Sequence, residues 1–299
     1  MNTSDSPSRY VFVIGTGRCG STMVEEVLAR HPATAFLSNF EDLSRAGSWT
    51  RAWNNTIYRV VPPSLTRKGR LRFAPSEGYR ALDRDVSPIL SRPWRDLTAD
   101  DATPWLAERT RRFFAMHAKA QGRPVFLHKF TGWPRARFLA SVFPTARFIH
   151  VVRDGRAVAN SWLQMSWWEG FQGPDHWQWG PLPTAYEAEW RESGHSFPVL
   201  AGLLWKLLID AHDAAAATLP SDQWLEVRYE DVVARPGECF DSMLDFAGLK
   251  RDSVFSRALA GQVFKAERSN AFRRDLGPEN VAALTQSLAA HLGRLNYEI

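Results

Sequence analysis

The apolar positions of this 299-residue chain follow two periods in alternation. Short continuous apolar runs, rich in β-branched residues, read as buried strands at residues 10–14, 34–37, 124–128, 147–152 and 223–227. Between them, spacings of three and four predict helices. The first is capped by Ser21 or Thr22 and carries Met23, Val24, Val27 and Leu28; others cover residues 104–120, a stretch started by Pro134, and residues 157–162, 236–247 and 278–292. A helix over residues 200–219 sets Leu203, Leu204, Leu207, Leu208 and Ala211 on one face. Strands alternating with helices imply an α/β fold with a mostly parallel sheet flanked by helices. Residues 38–100 are broken by Pro62-Pro63, Gly69, Pro75, Gly78, Pro88 and Pro93, so irregular insertions of loops and short helices are expected to cover a site there. Residues 167–195, dense in tryptophan, glycine and proline, read as an inserted loop. With no repeat and no linker, one domain over residues 10–299 is expected after a disordered lead over residues 1–9.

Composition narrows the class. Hydrophobic residues make up 44% of the chain and charged residues 23%, ordinary for a soluble globular protein. No apolar run approaches the roughly 18 residues that span a bilayer, and the polar N-terminus lacks the pattern of a signal peptide, which favours a cytoplasmic location. Cys19 and Cys239 are too few for a disulfide scaffold, and the eight histidines are scattered singly, so no metal site is expected. The net charge of +5 favours an anionic partner. The densest basic patch, Arg67-Lys68-Gly69-Arg70-Leu71-Arg72, reads as a solvated loop, so nucleic acid is not the favoured one.

Gly15-Thr16-Gly17-Arg18-Cys19-Gly20-Ser21-Thr22 lies after the first strand and before the first helix, where a phosphate-cradling loop belongs. Its glycines let successive N–H groups turn inward, and the helix N-terminus adds positive potential. Gly15 and Gly20 fit the GxxxxGK[ST] spacing, but Ser21 stands where the triphosphate-binding lysine should be. The strand over residues 148–152 runs into Arg153 before Asp154, not into an acidic residue that could hold Mg²⁺. An anionic nucleotide that needs no metal fits this loop better than a nucleoside triphosphate.

On these residues the chain resembles the superfamily of sulfotransferases that use 3'-phosphoadenosine-5'-phosphosulfate (PAPS), and its bacterial members in particular. Arg18-Cys19-Gly20-Ser21-Thr22 is similar to that family's 5'-phosphosulfate loop, residues 147–161 to its 3'-phosphate segment, and Val227-Arg228-Tyr229-Glu230-Asp231-Val232 to a third, less diagnostic stretch. The resemblance implies a P-loop-like fold and PAPS as co-substrate, with adenosine 3',5'-bisphosphate (PAP) as product and no metal. It implies that Gly17, Arg18, Cys19, Gly20, Ser21 and Thr22 hold the 5' end, and that Arg153 and Ser161 hold the 3'-phosphate. Arg268 and Arg273 lie where the family returns a basic loop to the nucleotide.

Sulfuryl transfer needs cations at the leaving oxygen and a base at the acceptor hydroxyl. Arg18 and Lys129 are the candidate cations, Lys129 by its similarity to a lysine the family places beside the donor. Glu41, placed like the glutamate of tyrosine- and glycan-modifying members, is the first candidate base; His128 competes with it, and Asp42 is third. The acceptor is expected to be a small molecule, glycan or glycolipid. Trp162, Trp167, Trp168, Trp177, Trp179 and Trp190 form either an acceptor wall or a small core under a loop. The rival readings are a P-loop small-molecule kinase and a catalytically silent PAP-binding module.

Overall fold

The computed structural model describes residues 9–43, 48–61, 73–264 and 270–299. The 67–72 basic patch, Arg268 and all of the expected lead except Arg9 fall outside them. Five strands, β1 (Arg9–Gly15), β2 (Thr34–Phe36), β3 (Val125–Thr131), β4 (Arg147–Val152) and β5 (Trp224–Arg228), form one parallel sheet in the order β2-β3-β1-β4-β5. Arg9 opens β1 opposite Val125 rather than ending a lead, and its guanidinium donates to the Ala247 carbonyl at 2.7 Å.

The helices up to β3 are α1 (Ser21–Leu28), α2 (Asn39–Leu43), α3 (Ser48–Val60), α4 (Tyr79–Asp85), α5 (Pro88–Ser91) and α6 (Pro104–Gln121). Those that follow it are α7 (Ala136–Val142), α8 (Gly155–Leu163), α9 (Thr184–Glu192), α10 (Phe197–Ala216), α11 (Tyr229–Ala234), α12 (Pro236–Ala247), α13 (Ser253–Ala260) and α14 (Ala271–Arg294). The expected start at Pro278 is a break inside α14, where Gly277 leaves helical geometry at φ 74°. Two helices depart from expectation: α3, at 13 residues, is longer than the short helices expected over residues 38–100, and one lies inside the stretch expected to be loop. In α3 the inward-facing Asn54 and Asn55 are fully buried, and Asn55 donates to the carbonyls of Ala29 and His31. Its apolar spacing falls on the other face, where Trp53 and Val60 are exposed. The other is α9, which has no fully buried residue among its nine.

Alternation along the strands separates two cores. Tyr10, Phe12 and Ile14 pack with Phe126, Phe130 and Phe148 against Phe113 and Phe114 of α6 and Phe138 of α7. Val11 and Val13 pack with Leu127, Ile149 and Val151 against α1, α12 and α13. A third cluster joins α8, α10 and α14 through Val158, Trp162, Leu204, Trp205, Leu284 and Leu288. Among the described residues, no helix is long and apolar enough to cross a membrane.

One buried cation fastens the insertion to the sheet. Arg135, in the turn after β3, donates from Nε to the Leu90 carbonyl at 2.7 Å and from Nη2 to the Ser91 carbonyl at 2.9 Å. Its Nη1 reaches the carbonyls of Thr131 and Trp133, and its backbone N–H donates to Asp96 at 2.7 Å. A lysine has one donor atom and cannot span four carbonyls on two segments. Arg135→Lys should therefore lower unfolding stability by about 3 kcal/mol, since each orphaned buried carbonyl costs about 1–3 kcal/mol. Urea denaturation checks this: a lower midpoint at unchanged slope is expected.

Candidate active site

All the strands point their carboxyl ends toward one edge of the sheet, where open α/β sheets bind ligands. The turn after β1 (residues 16–20), Thr131 of β3, Arg153 after β4 and Tyr229 after β5 meet there around a cavity of about 590 Å³. The turn is wound through the left-handed region at Gly17 (φ 84°), Arg18 (φ 56°) and Gly20 (φ 94°). Gly20 has no alternative, because a Cβ there would lie 2.3 Å from the Tyr229 ring. Gly15 is equally constrained by the Cys19 Sγ and the Val151 carbonyl, 2.5 and 2.6 Å from where its Cβ would sit. Cys19 is fully buried and, alone of residues 16–22, does not line the cavity.

Three residues that are far apart in sequence close on this loop. Arg18 Nε donates to Ser161 Oγ at 2.8 Å, Arg153 Nη1 donates to the Arg18 carbonyl at 3.0 Å, and the Arg153 guanidinium lies 4.7 Å from the centre of the Tyr229 ring. Thus Arg18, Arg153 and Ser161 form one basic corner beside the loop. Gly17, Gly20, Ser21 and Thr22 line the same cavity. So does Trp162, whose buried indole Nε1 has no hydrogen-bond partner among the described residues and lies 3.8 Å from where a Gly17 Cβ would sit. The donor set fits a nucleotide with anionic groups at both ends: cations and N–H groups line the corner, and the glycines leave room for close backbone approach.

The opposite wall carries Glu77, with Lys129 paired behind it. Alternation along β3 turns Lys129 and Thr131 toward the α1 side of the sheet and His128 away from it. Lys129 is 3% exposed; its Nζ donates to Thr22 Oγ1 at 2.7 Å and pairs with Glu77 Oε1 at 3.0 Å and Glu25 Oε2 at 3.7 Å. Burial alone would depress its pKa, but Glu77 and Glu25 hold it above the ordinary lysine value. Thr131 Oγ1 donates to Glu77 Oε2 at 3.4 Å and shares a 2.9 Å hydrogen bond with the Tyr79 hydroxyl. Burial, with Glu77 beside it, raises the pKa of Tyr79, so this phenol stays neutral.

Glu77 was not among the residues singled out from sequence. It sits between Ser76 and Gly78 in a turn held by Asp42, the third candidate base. Asp42 accepts from Ser76 Oγ at 3.3 Å and from the Ala81 N–H at 3.0 Å, and the Ser76 N–H donates to the Leu37 carbonyl at 2.9 Å. Gly78, at φ 66°, packs so tightly on Leu37 that a Cβ would fall 2.0 Å from Cδ2. The bracketing Pro75 and Gly78 signal a turn, but nothing in that signal separates an inward carboxylate from a surface one.

Glu41 and His128 lie away from the cavity. The Glu41 carboxylate accepts from the Ser38 N–H and Oγ, both at 2.9 Å, from His117 Nδ1 at 2.8 Å and from Asn54. Burial would raise its pKa, but the bonds from His117 and Ser38 hold it below the ordinary carboxylate value. With its lone pairs taken, it braces α2, α3 and α6. His128 is fully buried, with the Phe114 and Phe130 rings 5.1 and 4.7 Å away. Arg273 is exposed at the start of α14, over the Phe272 ring, and does not line the cavity.

The tryptophans divide between both expectations. Trp168 and Trp177 are buried in the third core, Trp167 and Trp179 line the cavity, and Trp162 does both. Trp190 is half-buried against the same core, with the His195 ring at 4.6 Å.

The model of the Sulfotransferase family matches residues 10–253, and the chain belongs to that family. Its fold is similar to the sulfotransferase domain of the Synechococcus PCC 7002 olefin synthase, at 18% identity over 96% of this chain and 97% of that one, with a TM-score of 0.50. It is likewise similar to the sulfotransferase STF9 from Mycobacterium avium (13% identity, 100% and 79% covered, TM-score 0.59) and to STF1 from Mycobacterium tuberculosis H37Rv (17%, 95% and 77%, 0.54). At these identities the likeness concerns the fold. No curated protein matches the chain in sequence.

The position of His128 has a measurable consequence. Burial lowers its pKa from 6.5 to about 3. Below pH 6.5 the unfolded chain takes up a proton that the folded chain refuses, so stability falls by about 1.4 kcal/mol per pH unit. His128→Phe should remove this dependence: between pH 7 and pH 5 the wild type loses about 2 kcal/mol more than the variant by denaturant titration.

Proposed function

We propose that the chain transfers the sulfuryl group of PAPS to a hydroxyl of a small-molecule or glycan acceptor, with Glu77 as the base. The observation that carries this reading is that one cavity joins Arg18 and Arg153 to Glu77, with Ser161 held behind the first by Arg18 and Lys129 paired behind the second. PAPS supplies an activated sulfuryl group on a phosphate leaving group. In this reading the N–H groups of residues 17–22, with Arg18 and Thr22, hold the 5' end, and Arg153 and Ser161 hold the 3'-phosphate. Lys129 donates to Thr22 Oγ1, which leaves the Thr22 hydroxyl hydrogen for an anionic oxygen. Glu77 receives the acceptor hydroxyl's proton as the oxygen attacks, and Lys129 keeps that carboxylate ionised beforehand. Tyr79, Trp167 and Trp179 give the acceptor aromatic surfaces, and the buried wall limits water at the reacting oxygen.

The donor is tested by calorimetric titration with PAP, and with ADP plus Mg²⁺ in comparison. PAP is expected to bind without metal, and Arg153→Ala to lose most of that affinity; a preference for ADP with Mg²⁺ would revive the kinase reading. The base is tested with radiolabelled PAPS and a panel of phenols, alcohols and oligosaccharides. Glu77→Gln should lower the turnover of any acceptor found by about 10²–10⁴-fold while PAP binds no more weakly. Glu41→Gln should reduce stability more than turnover, and the opposite pattern would return the base to Glu41.

A further inference from the structure

The mechanism above leaves one buried ionisable group without work. Glu25, in the middle of α1, is 1% exposed, and neither of its carboxylate oxygens has a hydrogen-bond partner among the described residues. Its nearest cation is Lys129 at 3.7 Å, an ion pair too long for a hydrogen bond. Buried carboxylates are ordinarily satisfied by several donors, and one without them is costly to keep. Val24, Val27 and Leu28 of the same helix belong to the apolar core, so packing alone would be served by an apolar side chain here.

Charge gives this position a use. The groups facing Glu25 are Lys129 from β3, Glu77 from the turn before α4 and Glu26 from its own helix. Two carboxylates therefore flank one ammonium, and with both ionised the Glu25–Lys129–Glu77 group carries a net negative charge. That group lies directly behind Thr22, on the loop read as the seat of the nucleotide's anionic 5' end. An arriving anion must either be repelled or have one negative charge removed. Glu77 opens on the cavity and pairs with Lys129 at 3.0 Å, so it keeps its charge more readily. Glu25, desolvated and without donors, gives its charge up more readily.

We infer that Glu25 is a proton-coupled positioning residue: ionised in the free protein above neutral pH, where it holds Lys129 in place, and protonated when the nucleotide binds. The proton comes from solvent and ends on the Glu25 carboxylate, which releases the charge of Lys129 toward the nucleotide. The inference rests on the nucleotide reading above. Burial, together with Glu77 and Glu26, raises the Glu25 pKa to about 7 against the pull of Lys129, which puts the free carboxyl near its midpoint at neutral pH.

The linkage has a definite sign. A group that gains a proton on binding makes affinity fall as pH rises above its free pKa. PAP affinity should therefore weaken about five-fold between pH 7 and pH 8, approaching about ten-fold per unit above that. The phosphate groups of PAP, whose second ionisation lies near pH 6, contribute little in this range.

The test is calorimetric titration of the wild-type protein with PAP at pH 8, in HEPES and in Tris, whose ionisation enthalpies differ. The expected result is uptake of close to one proton per PAP bound. Glu25→Gln, which mimics the protonated carboxyl, should take up none and bind PAP with an affinity flat from pH 7 to pH 9. PAP binding by the wild type without proton uptake would overturn this inference alone, and it requires no variant to fold. Unchanged uptake in Glu25→Gln would overturn it as well. Failure of the wild type to bind PAP would bring down the nucleotide reading itself, and this inference with it.

Discussion

The ammonium of Lys129 is the point on which this site depends. It is anchored at the end of β3, yet it touches the phosphate loop through Thr22, the acceptor wall through Glu77 and the helix behind the loop through Glu25. A lysine this deeply buried would lose its charge if it stood alone. The two carboxylates keep it charged, and Glu77 meets it at the cavity surface. The arrangement links the two halves of the cavity through one side chain.

Parallel strand order explains why these parts meet at all. Four adjacent strands, β3, β1, β4 and β5, deliver Thr131, the glycine turn, Arg153 and Tyr229 to a single edge. Tyr229 then serves twice: its ring lies under the Arg153 guanidinium and against the bare Cα of Gly20. The stacked ring fixes the cation, and the missing Cβ lets the loop come close enough to use it. Arg18, Arg153 and Ser161 converge because the sheet sets their separations, although 143 residues lie between Arg18 and Ser161.

Legibility in the sequence followed the same division. The buried strands announced themselves as continuous apolar runs, and β4 falls on the predicted residues. The phosphate loop was legible because its glycines and the absent lysine are local chemistry. The acceptor side was not. Glu41 and Glu77 are both carboxylates beside turns, and their difference lies in what surrounds them: Ser38, Asn54 and His117 bury the first away from the cavity, while the second, beside Lys129 and Thr131, lines it. His128 was a plausible base by adjacency to Lys129, but neighbours on a strand face opposite ways, so adjacency there argues against a shared site. The length of α3 was hidden, because asparagines face inward and its apolar Trp53 and Val60 are exposed.

The acceptor wall is assembled from segments that carry no motif, and glycines join them. Trp179 of the insert lies against Gly132 at the end of β3, where a Cβ would come within 2.3 Å of the indole, and Trp94 packs as closely on Gly180. Both glycines hold positive φ, so neither contact survives an added side chain without backbone strain. Arg135 completes the joint by binding the carbonyls of Leu90 and Ser91 to the turn that holds Gly132. The wall is thus one packed unit made from the β3 turn, the 90–96 loop and the tryptophan insert. Its shape can change through any of the three while the phosphate loop, held separately by Gly20, Tyr229 and Arg153, stays as it is. On the proposed reading, a scaffold divided in this way can keep one donor and alter its acceptor, because the residues assigned to the nucleotide and those that shape the opposite wall share little beyond Lys129.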